Sequence, residues 1–370
     1  MEWLLATHEN GLGPVDCSDE TQRQRVGIGL RGADLRRVHL QNLPLARLVG
    51  DVSWRQWSDL TEEQHIMAAV HLENADLKGA HLEEANLEYA HMQKTDLRGA
   101  HLEKANLAAA KMQGAYLEGA HLEEADLWLA RLDEAFLWGT HLAGVNFREA
   151  HLHGAHLNDQ IIMVNRQGVG PKLLDAYLEG VNLALLRWSQ VRMLGEEGEV
   201  RQQEREGTEK DSASRLKRYE EAVRANRQLA VTLQGQGLNE EAARFSYRAQ
   251  VLQRKVLWLQ GPAKLGPYLF SLFLGLMTGY GYRMWRIVAA YALVNSVFAT
   301  LYFILGLTTA PHLAWIQALL VSVTAFHGRV FSIAFLVGSP QATVAAVEAV
   351  TGLLFEAVFV AMLTQRFFGK

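Results

Sequence analysis

Two carboxylates and one guanidinium stand in a stretch that is otherwise almost free of charge. After Arg286 the only charged side chains are Arg329, Glu348, Glu356, Arg366 and Lys370. Glu348, Gly352 and Glu356 advance by fours, which sets them on one broad face of a helix. An unpaired ionised side chain in hydrocarbon costs at least about 2.5–3.5 kcal/mol. Such residues must therefore meet water or a partner, and the chemistry they suit is ion handling. Glu356 is the better candidate to line a wet pore. Glu348 either shares that face or packs inward and pairs with Arg329 of its own or a neighbouring chain. Arg329, repeated around an axis, would repel cations, and if neutralised it would leave Glu356 to favour them. Bond-making chemistry has no foothold: there is no phosphate-binding glycine loop, clustered metal-ligand motif or nucleophile elbow, so an enzyme is not expected and no cofactor is implied.

The elements around these residues read as membrane segments. Residues 287–307 carry no charge over a length sufficient to cross about 30 Å of hydrocarbon. Residues 344–368 form a second span, interrupted by the two glutamates, and 314–325 between them are apolar but too short to cross. Lys264, Arg283 and Arg286 precede the first span, and Arg366 and Lys370 close the second. By the positive-inside rule both ends face the cytoplasm, as expected of a multi-pass protein of the inner membrane. Residues 267–282 are apolar, short and broken by glycine, which fits a helix lying along the inner leaflet. Within them Thr278-Gly279-Tyr280-Gly281 mimics an ion filter, but no span precedes it, and it reads as a turn into the first span.

The order outer helix, short helix, inner helix resembles the two-transmembrane domain of potassium channels and their relatives over residues 285–370. The inner helix carries that family's glutamate, Glu348, four residues before a hinge glycine, Gly352. The resemblance implies a re-entrant pore helix, a homo-oligomeric pore, most simply a tetramer, and passive passage of inorganic ions. The filter departs from the family pattern T-x-G-[YF]-G-D. The matching stretch contains Thr324, Phe326, His327, Gly328 and Arg329, so potassium selectivity is not expected.

A second pattern has a period of five. From Leu72 to Leu157 every fifth residue is large and apolar, through eighteen units, and two positions before each sits a small or β-branched residue. Five matches neither a helix nor a strand period, so the run is a solenoid signature. Ala75-Asp76-Leu77 and Ala85-Asn86-Leu87 resemble the unit of pentapeptide-repeat proteins. That resemblance implies a right-handed quadrilateral β-helix over 28–194, with four units per coil, the large and small residues inside, and coils about 4.8 Å apart. Insertions are expected at 46–69, with Trp54 and Trp57, and at 158–174. Histidines recur at His71, His81, His91, His101, His121, His141 and His151, and with twenty residues per coil His81, His101, His121 and His141 stack along one face. A metal ladder is one reading, since imidazole is a common zinc ligand. The column lacks a clustered tetrahedral set, however, and we read it as solvated side chains, with no metal. Protonation below about pH 6.5 then sets like charges ~5 Å apart, which predicts mild acid destabilisation.

The remaining segments connect these two parts. Residues 1–27 lack a signal peptide's basic and then apolar run, and are expected to stay in the cytoplasm. The lone cysteine, Cys17, permits no disulfide within the chain. Residues 195–213 are rich in glycine and charge and read as linker. Residues 214–260 read as a helical hairpin broken at Gly235–Gly237, with Asn239 as N-cap, and resemble one tetratricopeptide unit that must bury its face on a neighbour.

The whole reads as an ion channel with a cytoplasmic repeat domain, in contact with the lipid bilayer and with copies of itself. The alternative is a non-conducting membrane scaffold that binds a protein partner. A third reading, a DNA-mimicking topoisomerase inhibitor, draws on fourteen acids against seven bases between Val70 and Leu157. It fits poorly with a membrane tail, and no nucleic-acid partner is expected.

Overall fold

The computed structural model describes residues 27–50, 69–207, 211–279, 285–308, 312–328 and 339–368. The expected N-terminal segment lies outside the described residues except for Gly27. The chain divides into two compact units, Met1–Leu259 and Gln260–Lys370.

In the first unit the period of five becomes a four-sided coil. Single-residue parallel bridges join His71 to His91, Asp76 to Asp96, His81 to His101 and Asn86 to Asn106, each pair twenty residues apart. Around such a bridge the Leu72 N–H donates to the His91 carbonyl at 2.7 Å, and the His91 N–H donates to the Val70 carbonyl at 3.0 Å. Each side is too short to be a strand. The coil is a stack of corners tied by one bridge per side.

Every corner demands a particular backbone. The Ala80 N–H donates to the Leu77 carbonyl at 3.0 Å, closing a four-residue turn. Its third residue, Gly79, has φ 60°, as a type II turn requires. The same position recurs every five residues and is filled by Gly99, Gly119 and Gly139, but also by Tyr89 and Leu129 at φ 57° and 56°. Those side chains accept a left-handed conformation because the ladder on both sides leaves no other path. Inside, the large and small positions are buried together, as at Leu97, Ala100, Leu102 and Ala105. Thr95 takes a small position because its hydroxyl donates to the Leu72 carbonyl at 2.7 Å.

Both expected insertions are narrower than the sequence suggests. Ala46 and Leu48 are buried, and Val49 bridges to Asn86, so the coil continues through Gly50. Residues 51–68, with Trp54 and Trp57, lie outside the described residues. At 158–174 the solenoid is stretched rather than left. Ile161 and Met163 fill the core, and the bridge offset grows from twenty residues (Phe136 to His156) to twenty-one (His141 to Ile162) and twenty-six (Asn146 to Lys172). The excursion is a turn at Asn165, whose side chain accepts from the N–H groups of Gln167 and Val169, both at 3.0 Å.

The expected linker is a correction. Gly195–Glu206 is a helix, α1, and its first turn is buried. Glycine lets that turn approach: a Cβ on Gly195 would lie 2.9 Å from the Lys172 backbone nitrogen, and one on Gly198 would lie 2.6 Å from Val169 Cγ1. Glu196 Oε1 accepts from the backbone N–H groups of Leu173 and Leu174, both at 2.7 Å, closing the last coil. Burial pushes the Glu196 carboxyl above the ordinary range, partly opposed by those donors and by the Arg148 charge. Glu197 is buried too and accepts from Arg248 at 2.9 Å and Arg201 at 2.7 Å.

The hairpin follows as α2, Ser212–Gly235, and α3, Asn239–Leu259. Asp211 caps α2 through the Ser214 N–H at 3.0 Å. Asn239 is the first residue of α3 rather than its cap, a one-residue difference of the kind that helix ends show. The face that needs a partner finds the solenoid. Ala225, Leu229, Leu233 and Phe245 join the same buried cluster as the repeat core, and Phe245 meets Trp188 edge-on at 5.7 Å. Gln236 pins the contact, accepting from Leu183 N–H at 2.9 Å and donating to the Val181 carbonyl at 2.7 Å.

The second unit is helical. It comprises α4 (Leu265–Thr278), α5 (Trp285–Thr308), α6 (Trp315–Phe326) and α7 (Pro340–Phe368). α4 ends on left-handed Gly279 at φ 55°, so the filter-like tetrapeptide begins as a helix cap; Tyr280 and Gly281 lie outside the described residues. α5, and α7 over Pro340–Val360, are long and apolar enough to cross a membrane, with mean hydropathy 1.9 and 1.8. The twelve-residue α6 packs against both. Val288, Leu293, Val350 and Leu353 leave large apolar faces uncovered.

Glu196→Ala removes the acceptor of two buried N–H groups at about 1–2 kcal/mol each. The first unit should lose about 2–4 kcal/mol in denaturant unfolding of the detergent-purified protein, while Glu196→Gln, which keeps an oxygen there, loses less.

Candidate functional site

The inner-helix residues meet the short helix at three points, one turn apart. Glu348 is completely buried, and the Ser322 hydroxyl of α6 lies within hydrogen-bond reach of its carboxylate and of the Asn295 carbonyl, 3.0 Å away. Gly352 is next. A Cβ there would lie 1.7 Å from the Phe326 carbonyl oxygen, so only glycine lets α7 pass the end of α6. The helix is continuous through this residue, which is a contact point with α6. Glu356 follows, and its Oε1 lies 2.7 Å from His327 Nδ1. The Tyr291 hydroxyl of α5 is 3.2 Å from the other ring nitrogen of His327. The shared face predicted by the spacing is therefore real, and it points at α6.

The filter candidates lie differently from expectation. Thr324 and Phe326 belong to α6, and the Thr324 hydroxyl donates back to the Leu320 carbonyl at 2.9 Å. Carbonyls in a helix run along its axis, whereas a filter needs them aimed across a pore. Phe326 is buried, edge-on to Tyr291 at 5.1 Å and to Phe355 at 5.6 Å. His327 caps the helix and left-handed Gly328, at φ 67°, ends it. Arg329 lies outside the described residues, so neither its pairing with Glu348 nor its place beside a pore is described. The His327–Glu356 pair stays about half exposed, at 43% and 50% of the side chains, in an open apolar cleft bordered by Ile287, Val288, Phe355 and Phe359.

The histidine columns are real as well, and they hold what the spacing did not show. His81, His101 and His121 stack with ring centroids 4.8 Å apart at each step, and His141 follows at 4.2 Å. A carboxylate stands beside each successive pair of rings. Glu83 is 2.9 Å from His81, Glu103 is 3.3 Å from His101 and 3.8 Å from His121, and Glu123 is 2.9 Å from His141. On the other face Glu73 lies 3.1 Å from His71 and 3.5 Å from His91, while Lys111 Nζ approaches His91 Nε2 at 3.3 Å. The signal for these carboxylates was the glutamate two residues after His71, His81, His101 and His121, at positions 73, 83, 103 and 123.

The model for the family "Pentapeptide repeats" matches residues 66–103, 100–139 and 125–159. Residues 66–159 are thus similar to pentapeptide repeats. No curated protein matches the chain. Among solved structures, the pentapeptide repeat protein Rfr23 from the cyanobacterium Cyanothece 51142 is 26% identical, over 36% of this chain and 90% of that one, with a TM-score of 0.19. HetL, a pentapeptide repeat protein involved in heterocyst differentiation regulation from Nostoc sp. strain PCC 7120, is 22% identical over 42% and 66%, with a TM-score of 0.18. QnrB1, a plasmid-mediated fluoroquinolone resistance protein, is 14% identical over 43% and 76%, with a TM-score of 0.23. At such TM-scores these likenesses carry no argument.

Acid sensitivity of the repeats has a source at His91. In the His81 column a carboxylate stands beside each successive pair of rings. Burial first, then the Lys111 and His71 charges, lower the His91 pKa below the ordinary histidine value. The folded state thus resists protonation that the unfolded chain accepts. This contribution to stability is complete above about pH 6.5 and is lost as the pH falls below it. Thermal unfolding between pH 7.5 and 5.5 should show the melting temperature falling, and the fall should be shallower in His91→Gln.

Gly352→Ala forces α7 away from α6. Overpacking of this kind costs about 1–3 kcal/mol, and the melting temperature of the second unit in detergent should drop accordingly. Gly266→Ala, where nothing lies within 4 Å of the added carbon, should leave it unchanged.

Proposed function

We propose that the second unit forms an ion-conducting pore in a homo-oligomer, with α5 and α7 spanning the membrane and α6 dipping between them. The observation that carries this reading is the half-exposed His327–Glu356 pair at the end of a short helix between two helices of spanning length. A polar pair in an apolar cleft is expensive in lipid and inexpensive beside a water-filled path. A plain membrane anchor has no use for a third, packed helix or for carboxylates on its inner face. Copies arranged about an axis, four by the resemblance to two-span channels, would turn the open sides of the clefts towards a shared path. The C-terminal end of α6 adds the negative end of a helix dipole beside His327, an arrangement that favours a cation. Both termini would then lie in the cytoplasm of an inner-membrane protein, with the repeats there to sense or transmit a signal.

The test is reconstitution of the full-length protein in a planar bilayer and measurement of its reversal potential in a salt gradient. A reproducible current is expected. Removing one unit charge from a watery path is worth about 1 kcal/mol. Glu356→Gln should therefore cut cation-over-anion permeability about fivefold, and Arg329→Gln should shift it the opposite way. A protein that inserts and stays silent at every voltage would instead be a membrane-anchored scaffold for a protein partner.

A further inference from the structure

The geometry points to two metal sites on the repeat surface: one divalent transition-metal ion of the zinc type held by His81, Glu83 and His101, and a second held by His121, Glu123 and His141. The ligand atoms of each set already lie within 4.8 Å of one another. Bonds to zinc are about 2.0–2.1 Å long, so three ligands must close on the ion by about an ångström or less. Side chains from about one-quarter to one-half exposed, such as His81 at 49% and His141 at 28%, have room for that movement. The backbone is already in place. Each pair of histidines sits on a parallel bridge, and His81 and His101 hold their rings within 3° of parallel. Two imidazoles and one carboxylate form a donor set that suits zinc, cobalt or nickel, with solvent completing the tetrahedron.

Charge argues in the same direction. Glu83, Glu103 and Glu123 recur one coil apart, each beside two imidazoles of the column. Oε2 of Glu123 is buried and accepts no hydrogen bond among the described residues. A divalent cation would supply the missing positive charge. The opposite face is a natural contrast, because His71, Glu73 and His91 form a similar triplet closed by the Lys111 ammonium. A cation placed there would face another cation.

The stoichiometry follows from the column's length. The face begins at Pro44 and ends at Ile162, leaving four histidines. Each Nδ1 can ligate one ion, so four rings make two sites. Pairing the outer rings uses all four and both of the 2.9 Å histidine–glutamate contacts. An ion at the middle triplet would strand His81 and His141.

The test uses tag-free full-length protein in detergent, dialysed first against chelator and then against Zn2+, with bound metal measured by elemental analysis. Two ions per chain are expected at pH 7.5. His101→Gln, Glu83→Gln and Glu123→Gln should each leave one, and the His101→Gln/His121→Gln double variant should leave none. Glu103→Gln and His71→Gln should leave two. Melting curves in chelator separate loss of metal from loss of fold, and the glutamate variants give a route independent of the histidines. Fewer than two ions on the wild type, two retained by the double variant, or loss of an ion in Glu103→Gln would overturn the assignment.

Discussion

In the first unit every layer must return to its starting point after four corners, so that one bridge per side finds its partner on the next coil. A side contains a single bridging residue, and no side can slip without displacing the other three. This closure explains features that local preference opposes. Tyr89 and Leu129 stay left-handed because the corners on either side fix them. Thr95 is accepted in the core because its hydroxyl has a carbonyl of the same stack to bond. Where residues are added after Leu157, one falls before the bridge at Ile162 and five more before the bridge at Lys172, and Tyr177 keeps the new offset.

Closure also organises the surface. A residue type repeated at one position of the coil becomes a column whose spacing is that of the backbone. Neutral stacking suits imidazoles, but repeated carboxylates accumulate charge, and alternating the two along one face lets each relieve the other. Lys78 shows the same solution with permanent charges, bridging Asp76 at 3.2 Å and Asp96 at 3.0 Å. In the second unit the organising contact is a single point, the passage of Gly352 against Phe326. Ser322 and His327 on one helix then meet Glu348 and Glu356 on the other as a consequence of that close approach.

The sequence made some of this legible and hid the rest for physical reasons. The period of five, the inward positions, the hairpin and both long apolar helices follow from patterns that repeat or persist over many residues. The short helix was legible by length and hydropathy. Gly195–Glu206 was hidden because its buried face is mostly glycine and glutamate, with Val200 as its buried apolar residue. Its only signal was the pair Gly195 and Gly198, three apart on one helix face. The His327–Glu356 contact joins residues 29 positions apart across two helices, and nothing local announces it. Thr324 and Phe326 lie in helix because the apolar run continues that far.

The closed end of the repeats has a consequence of its own. A stack of near-identical layers is a template: its last open coil offers unpaired N–H groups at a spacing that another stack could match, the condition for end-to-end growth into fibres. Glu196 takes the N–H groups of Leu173 and Leu174, and α1 and the hairpin cover that coil with helix. The terminus that could recruit a second molecule is thereby occupied by the chain itself, and growth in that direction is blocked by one buried carboxylate.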